Sequence, residues 1–426
     1  MVLGNLNLLV ITLNKLKVSI SNPGLGSHVR QTVRAYDEAS LLDNFYTTFL
    51  LNNTALHTKL SNRYKGLKSK QFNEISSKQI KKLMLPELLR LMSSKLLSAD
   101  TTDKIWEWSE LYFDHWVANQ LNSDIDIFHG YEHASLFSLK KCKKEKIFSV
   151  YEQPSVHHSY FNEKVASLLL NKEQYFQDNF QSIYDSDLSR KRNARRDEEL
   201  KIANLILCNS TYVKSSLLNA GVDEKKILVH PLGFPEVKSI TIKEKTNLTF
   251  MMSGNISYLK GSHHVLRVWK NNPELFNSHQ LVCIGNDTLS PNEWEGLPNN
   301  VKKLNRLSSD DYLHEVEKAD VYILNTYSDG FGMVMSEAMA KGLAVIGTTN
   351  SAAPDIIQDS INGKIIPIAN EESLLAAMKW MIDNPSELVR MRIAAMDYAK
   401  NHSWLYYREQ LPKLIQERYN STKANG

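Results

Sequence analysis

The chain is poor in cysteine, has no long apolar run and carries little net charge, and each shortage removes a class of protein. Only three cysteines occur in 426 residues. Cys142, Cys208 and Cys283 lie far apart, two of them in apolar strand-like runs. That pattern suits buried packing thiols in a reducing compartment, not a disulfide framework or a cysteine metal site. No stretch reaches the roughly 18 to 20 apolar residues that span a bilayer, so the expectation is a soluble protein, peripheral to a membrane at most. The apolar opening, Met1 to Asn14, is broken by Asn5, Asn7 and Asn14 and lacks a basic flank or small-residue cleavage site. A signal peptide is therefore not expected, and a cytoplasmic location is. Leu8 to Thr12 reads either as an extra edge strand or as an upstream extension of the first domain. A net charge of +4 does not call for nucleic acid as a partner. No solenoid-length repeat is present.

What remains is an ordinary globular composition, 42% hydrophobic and 23% charged, long enough for two domains of roughly 150 to 200 residues. Lys17 to Ser21 reads as a strand, followed by Asn22-Pro23-Gly24-Leu25-Gly26-Ser27 and then Val29, Val33 and Tyr36 at helical spacing behind a Ser27 cap. This strand-loop-helix unit opens a Rossmann-like domain. From about residue 57 to 122 the chain is lysine-rich, with Ile80, Leu83, Leu85, Leu88, Leu89 and Leu91 in a helical pattern, which predicts an inserted helical subdomain. Strands are expected at Ile125 to His129, Ile147 to Tyr151 and Leu205 to Asn209, with helices between Asn162 and Asn204. Their alternation argues for a doubly wound sheet. A polar link over Pro231 to Asn247 precedes a new strand at Leu248 to Met252. The expectation is α/β: a Rossmann-like domain at 1–235, a second at 236–404, and a final helix at 405–426 that crosses back to the first, the two domains facing a central cleft.

The richest local signal is Asp329-Gly330-Phe331-Gly332-Met333-Val334-Met335-Ser336-Glu337. Ala319 to Leu324, just upstream, is an apolar run suited to a buried parallel strand, so this loop leaves a strand's carboxyl end. Its glycines permit close approach to a ligand, and the helix start offers N–H groups to phosphate oxygens. Glu337 is placed to accept hydrogen bonds from ribose or sugar hydroxyls.

With Ala338-Met339-Ala340-Lys341-Gly342, this segment resembles the E-G-F-G-x-x-x-x-E-A-M-A-x-G signature of glycosyltransferase family 4. The order of motifs agrees from about Glu198 to Trp404: His230-Pro231-Leu232-Gly233, Phe250 to Gly261, Leu281 to Gly285, Pro354-Asp355 and Asn362-Gly363. The resemblance implies a GT-B fold and a retaining, metal-independent transfer of a sugar, hexosyltransferase-like, from a nucleotide diphosphate to a hydroxyl acceptor. The acceptor implied is a glycan or a lipid-linked acceptor, as in polysaccharide biosynthesis. Besides the nucleotide sugar as co-substrate, no cofactor is implied. The second domain would hold the donor through Lys260, Gly254, Asn255 and the Gly330, Phe331, Gly332, Met333 and Val334 loop, with Asp329 and Glu337 on sugar and ribose. Two positions depart from the family. Asn255 stands where an arginine is usual, which removes a positive charge that His263, Arg267 or a basic residue of the first domain would have to replace. Asp329 replaces glutamate, one methylene shorter, which bears on donor identity.

In the first domain, Gly24 and Gly26 form a candidate binding loop, or simply a tight turn. Glu152, His157 and His158 follow a strand end where the family places a sugar-proximal histidine, and His129 and His133 flank another. Asp185-Ser186-Asp187 resembles the metal-binding pair of a different transferase fold and is discounted. Lysines at 140–146 and 65–82 suit anionic lipid headgroups or simply a solvated face. The rival readings are a GT-B epimerase or phosphorylase, and a binding or scaffold subunit derived from a transferase.

Overall fold

The computed structural model describes residues 16–51, 70–172, 186–238 and 240–424. The segments 1–15 and 52–69, with the expectations placed on them, lie outside the described residues. Two parallel sheets organise the chain. The first contains β1 (Val18–Ser21), β2 (Leu42–Thr47), β3 (Ile80–Lys82), β4 (Ile127–Tyr131), β5 (Phe148–Gln153), β6 (Leu205–Cys208) and β7 (Ile227–Val229), in the order β3-β2-β1-β4-β5-β6-β7. The second contains β8 (Thr249–Ile256), β9 (Gln280–Asp287), β10 (Val301–Leu304), β11 (Val321–Leu324), β12 (Ala344–Thr348) and β13 (Gly363–Ile366), in the order β10-β9-β8-β11-β12-β13. The central strands β1, β4, β5, β6, β11 and β12 are buried along their whole length. Helices on both faces of a parallel sheet leave no solvated side, so β6 and β11 are apolar throughout, while β1, β4 and β5 bury polar residues such as Ser19, His129 and Glu152 among apolar ones.

In each sheet the strand order reverses beside the first strand, between β1 and β4 and between β8 and β11. Such reversal points open a crevice at the strands' carboxyl ends, where ligands of doubly wound sheets bind. The last helix, Trp404–Ala424, lies along the first lobe's Ser27–Glu38 helix. Tyr407 OH is 3.0 Å from Thr32 Oγ1, and Arg408 Nε donates to Glu38 at 2.8 Å. One apolar cluster, running from Val18 through Leu232, Phe234 and Tyr407 to Met335, joins the lobes.

Two local expectations are corrected. Gly26 is the N-cap of the first helix, and Ser27 is its first residue with no capping bond. Ile80 lies in edge strand β3 paired with β2, because its neighbours Phe45 and Phe72 provide a sheet-side apolar wall. The leucines at 85, 88, 89 and 91 sit on helix Met84–Leu96 but point outward. All three cysteines are free and buried, and no described helix is long and apolar enough to cross a membrane.

Candidate active site

At the second lobe's reversal point, the carboxyl ends of β8 and β11 and the loop after β11 enclose a cavity of about 100 Å³. Gly254, Asn255, Lys260, Asp329 and Val334 line it, together with Ser253. Glycine is required at two of its corners. Gly261 caps helix Ser262–Asn271 with φ of +62°, and a side chain there would collide with the Asn325 carbonyl oxygen. Gly332 caps helix Met333–Ala340 with φ of +80°, against Leu324 and Met335.

The loop is held by its own carboxylate. Lys260 Nζ donates to Asp329 Oδ2 at 2.6 Å, while Asp329 Oδ1 accepts from the N–H groups of Phe331 at 3.2 Å and Gly332 at 2.8 Å. Two amides expected to face a ligand are therefore turned onto Asp329. Phe331 itself is 3% exposed and packs in the core, so the ring is structural. Met333 and Val334, the first residues of the helix, carry amides that helix geometry leaves without carbonyl partners.

Glu337 is half-buried one turn into that helix. Among the described residues its carboxylate has no hydrogen-bond or ion-pair partner, and burial raises its pKa. Nearby, Ser253 Oγ is 3.0 Å from both Tyr312 OH and Tyr322 OH. Burial chiefly, and the Glu337 charge in smaller part, raises both phenols. A buried carboxylate beside hydroxyls suits a diol that would bring its own donors.

Neither residue expected to replace the missing arginine reaches this cavity. Arg267 is committed to Glu293 at 3.0 Å, and His263 is fully buried among Tyr258, His264 and Tyr327. Lys260 is the one cation lining the cavity among the described residues.

The first-lobe candidates divide differently. The Gly24 N–H donates to Asn22 Oδ1 at 2.7 Å, making a local turn, and at the loop's end Ser27 Oγ lies 3.8 Å from Met333 Sδ, across the cleft. Glu152 is buried and bound to His129 Nε2 at 3.1 Å, whose Nδ1 is 3.0 Å from Tyr36 OH. His157 and His158 are not brought to the second-lobe cavity. Both turn to Asp197, at 3.1 and 2.6 Å, beside a separate cavity of about 550 Å³ lined also by Gly221, Asp223 and Lys226. His157 Nδ1 accepts the Ser159 N–H at 3.2 Å and caps a helical turn, which places the proton on Nε2, toward Asp197. That nitrogen then has no lone pair for a metal, although His157, His158 and Asp197 cluster tightly. His133 is paired only loosely, 3.9 Å from Glu132. Asp187 begins a helix and bonds Arg190 at 2.5 Å. Asp185 lies outside the described residues.

The lobes touch directly above the loop. Ser210 Oγ donates to the Gly330 carbonyl at 2.5 Å, Tyr212 OH to Ser328 Oγ at 3.1 Å, and the Thr211 N–H to Asp355 at 2.9 Å. Gly330 is so close to Pro154 that a Cβ would meet its carbonyl oxygen.

Residues 234–398, which contain the whole cavity lining, match the model of the family described as Glycosyl transferases group 1. The second lobe therefore matches the group 1 model, which covers less than half of the chain. An uncharacterized glycosyltransferase of Haemophilus influenzae is 25% identical over 164 residues, covering 36% of this chain and 45% of that protein. The D-inositol 3-phosphate glycosyltransferase of Corynebacterium kroppenstedtii is 24% identical over 163 residues, covering 35% and 36%. The chain thus spans less than half the length of these relatives. Anabaena Alr3699/HepE in complex with UDP superposes with a TM-score of 0.63 at 12% identity, covering 94% of this chain and all of that one. Sucrose-phosphate synthase from Thermosynechococcus elongatus gives 0.62 at 13%, covering 95% and 100%. The fold is GT-B.

Within the second lobe, sequence reasoning missed Ser253, Asn325, Tyr312 and Tyr322. Ser253 precedes the Gly254-Asn255 pair, a usable signal. The tyrosines lie on separate elements whose approach to Glu337 only the folded sheet creates.

Proposed function

We infer that the chain is a glycosyltransferase that moves a sugar from a nucleoside diphosphate donor, held by the second lobe, to a hydroxyl acceptor presented by the first lobe. The observation that carries this is Glu337: a half-buried carboxylate without a hydrogen-bond or ion-pair partner among the described residues, beside a reversal-point cavity whose lining includes Lys260. In this reading Glu337 accepts the ribose hydroxyls, and the amides of Met333 and Val334 meet phosphate or sugar oxygens. Lys260 exchanges Asp329 for the diphosphate, and the released Asp329 takes a sugar hydroxyl. Lys260 then offsets charge on the departing phosphate. The transfer is proposed to retain the anomeric configuration without a metal, with a glycan or lipid-linked acceptor. Uridine nucleotides head the donor panel, since the HepE structure contains UDP.

Isothermal titration with UDP, GDP and ADP, followed by turnover with the matching sugars, tests the reading. One nucleotide should bind, and Glu337→Ala should weaken its binding by at least about tenfold. Binding of no nucleotide, or indifference to Glu337→Ala, removes the assignment. A non-catalytic binding subunit is the second reading, favoured by Asn255 and by the Asp329 carboxylate that occupies both Lys260 and the loop amides. Nucleotide binding without turnover over a broad acceptor panel would select it.

A further inference from the structure

Three side chains outside the lining of the second-lobe cavity form an unbroken chain of hydrogen bonds beside it. Glu371, the first residue of helix Glu371–Asp383, has Oε1 2.7 Å from His264 Nδ1, and His264 Nε2 lies 2.8 Å from Tyr327 OH. Tyr327 is fully buried and His264 is 6% exposed. A carboxylate only accepts, so Nδ1 carries the ring proton and Nε2 presents its lone pair to the tyrosine hydroxyl. Burial first, and the neighbouring His263 second, lower the pKa of His264, which keeps the ring neutral and agrees with that assignment. Each group then has one role: the phenol donates, the imidazole accepts and donates, and the carboxylate accepts.

This chain joins the same two loops as the Lys260–Asp329 pair. His264 is the third residue of helix Ser262–Asn271, just after Lys260, and Tyr327 immediately precedes Ser328 and Asp329. The loops are also stitched through the main chain: the Tyr327 N–H donates to the Leu259 carbonyl at 2.9 Å, and Asn325 Nδ2 to the Gly261 carbonyl at 3.1 Å. When Lys260 exchanges Asp329 for a diphosphate, the ion pair between the loops is lost, whereas the His264–Tyr327 link, buried away from the cavity, is not. We propose that Glu371, His264 and Tyr327 are positioning residues that hold the Lys260 loop against the Asp329 loop during transfer, so that Lys260 stays aimed at the departing phosphate. This rests on the donor-site reading given above, and it adds to that reading a group of residues that never touches the substrate.

Tyr327→Phe in the full chain, which keeps the ring and removes the hydroxyl, tests it. Glu337 sits on a different element, helix Met333–Ala340, so affinity for whichever of UDP, GDP and ADP binds should change by about threefold or less. The kcat of sugar transfer should fall by about tenfold, as expected when a group that acts on the transition state is displaced. Glu371→Ala should lower kcat in the same way, and Glu371→Gln, which still offers an oxygen to the Nδ1 proton, should restore most of it. A merely structural bridge would lower the melting temperature and leave kcat per folded molecule at the wild-type level. Hydrogen exchange reads the loops without turnover: amides of 257–261 and 325–330 should exchange together, several-fold faster in Tyr327→Phe. Wild-type kcat in Tyr327→Phe overturns the proposal, as does a loss in Glu371→Gln equal to that in Glu371→Ala. A wild type without nucleotide binding or turnover removes the transferase reading instead; exchange then decides alone, and unchanged exchange of both loops in Tyr327→Phe overturns the bridge.

Discussion

Lys260 Nζ and Asp329 Oδ2 stand 2.6 Å apart across 69 residues of sequence, joining the loop after β8 to the loop after β11. Both side chains are about a quarter exposed, so the pair is worth at most about 1 kcal/mol. A diphosphate can displace that contact. Asp329→Asn keeps an acceptor for the Phe331 and Gly332 amides but releases Lys260. UDP binding should then tighten by a few-fold, more at low salt, while turnover of the nucleotide sugar falls. Titration at two ionic strengths, set beside initial rates, separates the two effects.

Asn255 lies exposed on the cavity rim, where among the described residues Lys260 is the one lining cation. Asn255→Arg should tighten UDP binding by roughly three- to tenfold, with a steeper salt dependence, as expected for one added charge in partly screened surroundings. An affinity equal to wild type at low salt would show that this position is remote from the phosphates.

The pKa of Glu337 is raised by burial, and ribose hydroxyls prefer its ionised form. Nucleotide affinity should therefore fall on acidification at a pH above the ordinary carboxylate range. Glu337→Gln should flatten that profile at the weaker level. The readout is the dissociation constant across pH, compared between the two proteins.

Glu199 is fully buried, accepts from Tyr151 OH at 2.8 Å and the Ser135 N–H at 3.1 Å, and has its pKa raised by desolvation to about 7. A raised carboxylate favours folding while protonated, below its unfolded pKa, and that contribution is lost as pH rises through the folded value. Wild-type stability should drop between about pH 5 and about pH 8 by on the order of 1–3 kcal/mol more than that of Glu199→Gln. Melting curves of both proteins across that window check it.

Gly330 faces Pro154 with no room for a methyl group. Gly330→Ala should hold the lobes apart, lowering kcat/KM by about tenfold or more, while UDP still binds the second lobe. Small-angle scattering should show a larger radius of gyration for the variant.

The second lobe was legible in the sequence because its information is local. An apolar run marks β11, and glycines at fixed offsets mark Gly261 and Gly332. The structure then brings Gly254, Asn255, Lys260, Asp329 and Val334 to one cavity. The first lobe was less legible because its polar residues find partners far away in sequence: Glu152 pairs with His129, and His157 and His158 with Asp197. Strand ends predict where such residues emerge, not which neighbour takes them. The leucines of the 84–96 helix expose another limit, since a helical apolar pattern identifies a face and not the side on which it lies. Ile80 fell into the same helical spacing by coincidence with an edge strand of three residues.

The chain passes between the lobes twice, and the two passages are laced together. The Phe234 N–H donates to the His402 carbonyl at 2.9 Å, and the Trp404 N–H donates to the Phe234 carbonyl at 3.0 Å. Two knotted threads permit swinging about the line that joins them but resist twisting and sliding. The terminal helix therefore carries a second covalent passage between the lobes, and a protein cut before Trp404 would keep only one, along with the non-covalent contacts at Ser210, Tyr212 and Thr211.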